Sequence, residues 1–361
     1  MYKYWKLNVL LLSLVLVIIA IPGSSKQKAL NILCEVRGTV RLRRSRQNIY
    51  QPVYGGEFLD FSDRLQLGRG AAASVLCNNL ATWSPSTQGE FMVSSGCPSG
   101  GNAILKRSNI PIPPRIWDDP AVPYPISPRG NIILDRELTL RWNPVEGATS
   151  YQVEITDSGN FRWQTQVNQP QVVYSGNQPF QPGFRYWVKV IAYKGTSELK
   201  KASTGFTILS AADTQRVRDE VSQLDQKPLS DDSKLLALAY LYQGNDLNIA
   251  AINVLEGLMA SGNKTTAVYQ LLGTAYQHTG LYRLARERFL MALEKAKAED
   301  NLGEQAMIEA SLGDVEYVLA ELPQALQWFE AAQESYRALG DEGKVQELQQ
   351  KLDELKERLG V

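Results

Sequence analysis

The feature that most constrains this fold is an internal repetition in the C-terminal part of the chain. One copy of the pattern has Leu272-Gly273, Tyr276, Gly280, Tyr282, Ala285, Phe289 and Ala292. It returns forty residues later as Leu312-Gly313, Ala325, Phe329 and Ala332, and an earlier, weaker copy has Leu236-Ala237, Tyr240, Gly244, Leu247, Ala250 and Val254. Periods of this length are typical of stacked helical hairpins. The pattern therefore predicts an all-α helical-repeat array over residues 211–361.

The repeated residues alternate in size, as two closely crossing helices require. Gly273 and Ala285 allow the helices to approach, while Tyr276 and Phe289 fill the space beside the contact. The middle copy resembles the tetratricopeptide (TPR) repeat at nearly every position. The third copy departs from that family at Glu316, where an aromatic residue is usual. Residues 341–358 are predicted to form an amphipathic capping helix, with one apolar face made of Val345, Leu348, Leu352 and Leu355.

The resemblance to TPR proteins implies a concave groove that binds a protein or peptide partner, because the first helices of successive repeats line one surface. By position in the repeat, the expected groove residues are Lys234, Leu238, Leu241, Gln270, Thr274, Gln277, Asp314 and Tyr317, with His278 beside them. The family's carboxylate clamp has Asn where this chain has Leu238, so we do not expect recognition of a C-terminal carboxylate. The alternative is that the repeats pack only against each other or against the preceding domain.

The N-terminus has the pattern of an export signal. Lys3 and Lys6 precede an apolar stretch from Leu7 to Ile21, which has only fifteen residues. A membrane-spanning helix needs about 20 apolar residues, so the pattern favours a cleaved signal peptide over residues 1–25 rather than a permanent anchor. We therefore expect an exported protein of the periplasm or cell envelope, with membrane contact only if the signal segment is retained.

Residues 30–109 are predicted to form a small all-β domain, because short alternating strands are separated by Gly-containing turns. The segment Glu35–Arg43 alternates apolar and basic side chains, as a half-buried strand does. The domain resembles the FecR-like β-domain of bacterial envelope proteins through Val36-x-Gly38-x-Val40, Gly56-x-x-Leu59, Asp63-x-Leu65-x-Leu67-Gly68 and Ala72-x-x-x-Leu76. This resemblance implies an envelope location and a sensing or binding role.

Three cysteines, Cys34, Cys77 and Cys97, would occupy a compartment that permits disulfides if the chain is exported. We predict a Cys77–Cys97 disulfide, because Cys77 ends a predicted strand and Cys97 lies in a turn that can return to it. The alternative is a zinc site, but three widely spaced Cys without a nearby His lack metal-ligand spacing. Cys34 is predicted to be a buried apolar residue of the first strand.

A proline-rich stretch and a second β-domain follow. Residues 110–130 are predicted to be a semi-extended linker, since their prolines cannot donate regularly to a sheet. Residues 131–209 resemble fibronectin type III domains through Leu-x-Trp-x-Pro-x-x-Gly-Ala-x-x-Tyr, which runs from Leu140 to Tyr151 and includes Trp142. This resemblance implies a β-sandwich with Trp142 and Tyr186 in its core, used as a spacer or binding module.

Charge is unevenly distributed although the net charge is zero. Residues 26–130 carry thirteen Lys/Arg and seven Asp/Glu, whereas residues 211–361 carry fifteen Lys/Arg and twenty-five Asp/Glu. The basic run from Arg41 to Arg46 is interpreted mainly as the solvent face of a strand. Its alternative role is contact with an anionic envelope polymer or lipid head group through Arg41, Arg43, Arg44 and Arg46. Nucleic acid is not expected as a partner, because the chain is not basic overall.

Catalysis is not expected. The chain has one histidine, His278, and neither a recognised nucleophile motif, a phosphate-binding loop nor a metal-ligand spacing. We therefore expect no catalytic residue, cofactor or metal. The sequence predicts a non-enzymatic envelope adaptor that binds a protein partner in the TPR-like groove. Two alternatives are a signal-sensing or regulatory protein that uses the FecR-like domain, and a glycan- or cell-wall-binding protein that uses its β-domains.

Overall fold

A computed structural model describes residues 29–99, 103–107, 118–133 and 137–360. Within these ranges the chain forms an N-terminal all-β domain, a β-sandwich and a C-terminal helical array. The predicted multidomain order, with the β-domains first and the repeats last, is confirmed. The predicted signal segment and the first part of the predicted linker, residues 110–117, lie outside the described residues.

The N-terminal β-domain consists of two four-stranded sheets. One sheet has the order β4-β1-β6-β7 and the other the order β3-β2-β5-β8. The strands are β1 (Asn31–Arg37), β2 (Val40–Arg43), β3 (Gln51–Pro52), β4 (Phe58–Leu59), β5 (Arg64–Leu67), β6 (Ala72–Leu76), β7 (Thr82–Trp83) and β8 (Gly89–Met92). Alternating residues of both sheets, among them Leu33, Leu65 and Val75, form a shared core. The predicted Cys77–Cys97 disulfide is confirmed, and both cysteines belong to that core.

The second domain is a sandwich of a five-stranded sheet, β10-β16-β15-β12-β13, and a three-stranded sheet, β14-β11-β9. Its strands are β9 (Pro125–Ser127), β10 (Gly130–Ile132), β11 (Thr139–Trp142), β12 (Ser150–Thr156), β13 (Arg162–Val167), β14 (Gln171–Val173), β15 (Arg185–Lys194) and β16 (Ser197–Ile208). Trp142 and Tyr186 lie in the core, as the sequence predicts. Strand β9 falls within the stretch predicted as linker, and Pro125 pairs with Trp142 at the sheet edge, where a missing N–H is tolerated.

Eight helices follow in the described part of the chain. They are α1 (Ala211–Asp225), α2 (Asp231–Gly244), α3 (Asn248–Ala260), α4 (Thr266–His278), α5 (Tyr282–Ala298), α6 (Leu302–Val318), α7 (Leu322–Leu339) and α8 (Glu342–Leu359). The pairs α2/α3, α4/α5 and α6/α7 are the three repeats, and α8 is the predicted capping helix. A Cβ added to Gly273 would lie 2.8 Å from the Phe289 ring, so the small residue permits the predicted close crossing.

The turns between paired helices fix the register of the repeats. Asp246, Gly280 and Ala320 hold the same place in successive turns, with positive φ angles of 62°, 75° and 61°. In the first two turns the following N–H donates to the carbonyl of Tyr242 and of Tyr276 respectively, both at 2.9 Å. Tyr242 is thus the counterpart of Tyr276, whereas the sequence pattern assigned Tyr240 to that position. Small residues at both 237 and 239 allow either register in the sequence alone.

None of the helices in the described ranges is both long enough and apolar enough to cross a membrane.

Candidate functional site: the concave face of the repeat array

The concave face of the array, formed by α2, α4 and α6, is the candidate functional site. The structure places Gln270, Thr274 and His278 together on this face, around a cavity of about 210 Å³. The opposite wall of the cavity comes from the N-terminal β-domain and includes Leu30 and Phe58. The chain therefore covers its own concave face with its first β-domain.

Helix α2 contacts the loop before β4 and the first strand. The Tyr240 hydroxyl donates to the Gly56 carbonyl at 3.1 Å, and the Ser233 hydroxyl donates to the Cys34 carbonyl at 3.2 Å. Gly56 has a φ of +100°, and a Cβ added there would lie 2.5 Å from Leu236 and 2.6 Å from Ala267. The loop and the helices thus approach each other as closely as a glycine allows.

Because of the register of the first repeat, the α2 residues predicted to line the groove do not face the β-domain. The Lys234 ammonium group donates to the carbonyl of Asp225 in α1 at 2.7 Å, and Leu241 is completely buried in the core. Leu238 is half-buried against the same core. The α2 residues that line the face are instead Ser233, Leu236, Tyr240 and Gln243.

A buried ion cluster joins the β-domain to α6. The Arg44 guanidinium lies 3.1 Å from Asp63, 3.5 Å from Glu57 and 3.4 Å from Glu304, and it stacks on the Phe58 ring at 4.6 Å. Burial raises the pKa of the Glu57 carboxyl well above its usual range and also raises the pKa of Glu304. One cation therefore faces three acidic groups in a site with little water.

The basic run divides between this cluster and the surface. Arg44 is buried in the domain contact, so it does not lie on the solvent face of the strand. Arg43 lies 3.8 Å from Glu90 and 5.1 Å from the centre of the Tyr50 ring. Arg41 and Arg46 are exposed. The four candidate polymer-contact residues therefore do not form one continuous exposed patch.

Apolar packing accompanies the polar contacts. One hydrophobic core contains Leu30, Ile32 and Leu105 of the β-domain together with Leu271 and Leu272 of α4. Cys34 belongs to this core as predicted, and burial raises the pKa of its thiol to about 12. The contact between the β-domain and the array is thus a shared core rather than a surface encounter.

The remaining predicted groove residues lie at the inner and distal parts of the array. Gln277 is buried, and burial lowers the pKa of His278, whose Nδ1 has no hydrogen-bond partner in the described residues. Asp314 accepts from Lys351 of α8 at 2.6 Å, and the Tyr317 hydroxyl donates to Glu354 of α8 at 3.1 Å. Helix α8 therefore contacts the side chains at the two α6 positions.

The sandwich also contacts the array, through side chains that the sequence did not identify. Arg129 donates to the Thr279 carbonyl at 3.0 Å, and Arg141 lies 3.1 Å from Glu256. The Asp118 carboxylate accepts from the backbone N–H groups at the start of α5. These contacts join chain segments that are far apart in the sequence, so no local pattern could have predicted them.

The described residues contain no group of three or more His, Cys, Asp or Glu placed to hold a metal ion. The polar groups that the structure brings together on the concave face bind one part of the chain to another. Their arrangement can support recognition of a protein surface.

No family model matches the chain, and no curated protein matches it. Among solved structures, the Yersinia enterocolitica type III secretion translocator chaperone SycD is 18% identical, with 39% of this chain and 94% of that chain covered at a TM-score of 0.32. PcrH in complex with the chaperone binding region of PopD is 19% identical, with coverages of 37% and 98% and a TM-score of 0.32. The fn3 domain of human collagen alpha-1(XX) is 24% identical, with coverages of 22% and 78% and a TM-score of 0.20.

Proposed function

We propose that this chain is a non-enzymatic scaffold whose repeat array binds protein, and that its N-terminal β-domain is the resident occupant of the concave face. The observation that carries this proposal is the contact of the β-domain with all three repeats. It includes the Tyr240–Gly56 hydrogen bond, the Ala267 contact with Gly56 and the Arg44–Glu304 ion pair. The helical array thereby binds both the N-terminal β-domain and the β-sandwich.

An external protein partner that occupied the groove at Gln270, Thr274 and His278 would have to displace the β-domain. Gln270 and Thr274 are half-buried and line the same cavity as Phe58 and Leu30. A partner in the groove would therefore have to replace both the shared apolar core and the ion cluster. In this proposal the β-domain competes with such a partner.

Export to the periplasm or cell envelope is the second part of the proposal. The N-terminal apolar stretch and the Cys77–Cys97 disulfide support it, because disulfides form and persist in oxidising compartments. The FecR-like resemblance of residues 30–109 agrees with an envelope adaptor. Retention of the mature protein in a periplasmic fraction would support this part of the proposal, and recovery in the cytosol with free thiols would contradict it.

The experiment for the scaffold role compares Gly56→Val with Gly70→Val by hydrogen exchange. Both glycines have positive φ angles, but a Cβ at Gly56 meets Leu236 and Ala267, whereas a Cβ at Gly70 meets nothing within 4 Å. We expect Gly56→Val to speed exchange at the contacting ends of α2 and α4 as well as in the β-domain. Faster exchange in the β-domain alone, or the same result for both variants, would contradict docking on the concave face.

A further inference from the structure

A second interaction surface lies on the N-terminal β-domain, beside a strand edge that the fold leaves open. Strand β1 pairs with β6 as far as Arg37, but on its other side it pairs with β4 only at Asn31 and Ile32. Leu33 extends this side through bonds with Gly56 and Glu57, and the Cys34 carbonyl is taken by Ser233. The edge beyond Cys34 borders a groove of about 1100 Å³.

Val36 presents both of its backbone polar groups to this groove. Its partner in β6 is Ala73, whose N–H donates to the Pro85 carbonyl at 3.1 Å, on the side of β6 away from β1. Residues of an antiparallel pair alternate between bonding each other and facing outward together. The Val36 N–H and C=O therefore face away from β6, and within the described ranges neither has a hydrogen-bond partner.

The groove floor is apolar and its rim is cationic. Val36, Val40, Val53 and Ala73 form the floor. Arg37 and Arg41 are exposed at the rim, and within the described residues neither lies in an ion pair. Glu35 is also at the rim, but its carboxylate accepts from the Ser230 N–H at 3.3 Å. Two arginines and one carboxylate thus stand at the rim, and its net charge is positive.

We propose that this groove binds an extended acidic segment of a partner protein, which adds to β1 as a strand. Main-chain bonds to Val36 would supply the pairing, and small apolar side chains on one face of the segment would contact the valine floor. Carboxylates on its other face would approach Arg37 and Arg41. This surface adjoins the covered concave face at Ser233, but the groove is open with the β-domain in place, so its occupation does not require the β-domain to leave the array.

The test titrates the full mature chain with a fluorescent, acetylated peptide of about seven residues that alternates valine and glutamate. Fluorescence anisotropy measures the affinity, and hydrogen exchange measures protection of the Val36 amide. We expect saturable binding that slows exchange at Val36. Two control peptides should each bind at least about tenfold more weakly than the acidic peptide. One alternates valine and lysine, and the other is the acidic peptide N-methylated at its central valine.

Protein variants separate main-chain pairing from charge. Val36→Pro removes the N–H that faces the groove and places the proline ring there, and the double variant Arg37→Glu/Arg41→Glu reverses the rim charge; each should weaken binding about tenfold or more. Arg69→Glu changes an exposed arginine that does not line the groove and should alter affinity less than about twofold. The proposal is overturned by absence of saturable acidic-peptide binding, or by equal binding of the N-methylated or lysine peptide.

Discussion

Nη2 of Arg44 and Oε1 of Glu304 lie 3.4 Å apart, although 260 residues separate them in the sequence. The ion pair joins the first β-domain to the third repeat. Glu57 and Asp63 face the same guanidinium, and Asn301 donates to Glu57 at 2.9 Å. The Arg44 guanidinium thus connects acidic groups of the β-domain and of the third repeat in the contact that covers the concave face.

The ion cluster is predicted to make a contribution to stability that falls as pH rises. The pKa values of Glu57 and Glu304 are raised by burial, so the folded state holds their protons more tightly than the unfolded chain does. Their contribution is full below the unfolded carboxyl pKa of about 4.3 and is lost as pH rises through the raised folded values. Urea unfolding of the protein at a series of pH values measures this loss.

The variant Glu304→Gln measures how much the ionisation of Glu304 contributes to this pH dependence, because the amide stays neutral at every pH. We expect its unfolding free energy to decrease less than that of the wild type from about pH 5 to pH 8. Glu321→Gln changes an exposed residue near the other end of the same repeat and serves as the control. Parallel curves for the wild type and Glu304→Gln would rule out this pH dependence.

Removal of the disulfide should destabilise the chain by about 3 kcal/mol, because the bond closes a loop with a sequence separation of 20. The variant Cys77→Ser/Cys97→Ser measures this loss in urea unfolding under oxidising conditions. A reductant should lower the stability of the wild type but not that of the variant. Equal stability of the two proteins without reductant would show that the bond does not stabilise the fold.

Cys34 should resist alkylation in the folded protein. Burial raises the pKa of its thiol to about 12, so little thiolate is present near neutral pH. We expect iodoacetamide at about pH 8 to leave the native chain unmodified and to add one group after unfolding in denaturant. Mass spectrometry gives the count, and rapid native modification at Cys34 would contradict its burial between the β-domain and α2.

Arg129 should contribute more to stability than Arg141, although both connect the sandwich to the array. Arg129 is 5% exposed and donates to the carbonyls of Pro125 and Thr279. Arg129→Met leaves buried carbonyls unpaired and should cost about 2 kcal/mol. Arg141→Met breaks a half-exposed pair with Glu256 and should cost less than about 1 kcal/mol. Urea unfolding of both variants and the wild type measures the two losses of unfolding free energy.

Local pattern was sufficient to predict the repeats and the disulfide. The small and large residues at Gly273 and Phe289 specify how two neighbouring helices cross, and the capping helix buries Leu348, Leu352 and Leu355 as its apolar spacing predicts. The sequence pattern did not determine the register of the first repeat, because the small residues at 237 and 239 fit two alignments. The turn at Asp246 decides between them.

The covering of the concave face could not be predicted from the sequence. Arg44 belongs to a run in which Arg41 and Arg46 are exposed, and nothing in the run distinguishes the buried residue. Its partner Glu304 lies in another domain. A contact between distant segments depends on the tertiary arrangement, which periodicity along one element does not describe.

A double-mutant cycle between Arg44→Met and Glu304→Met tests whether the first β-domain occupies the concave face of the array. Urea unfolding of the wild type, both single variants and the double variant gives the coupling free energy of the two side chains. We predict that Arg44→Met costs less stability in the Glu304→Met background than in the wild type, with a coupling of about 1 kcal/mol or more. Single effects that add within about 0.5 kcal/mol would contradict contact between the β-domain and the third repeat.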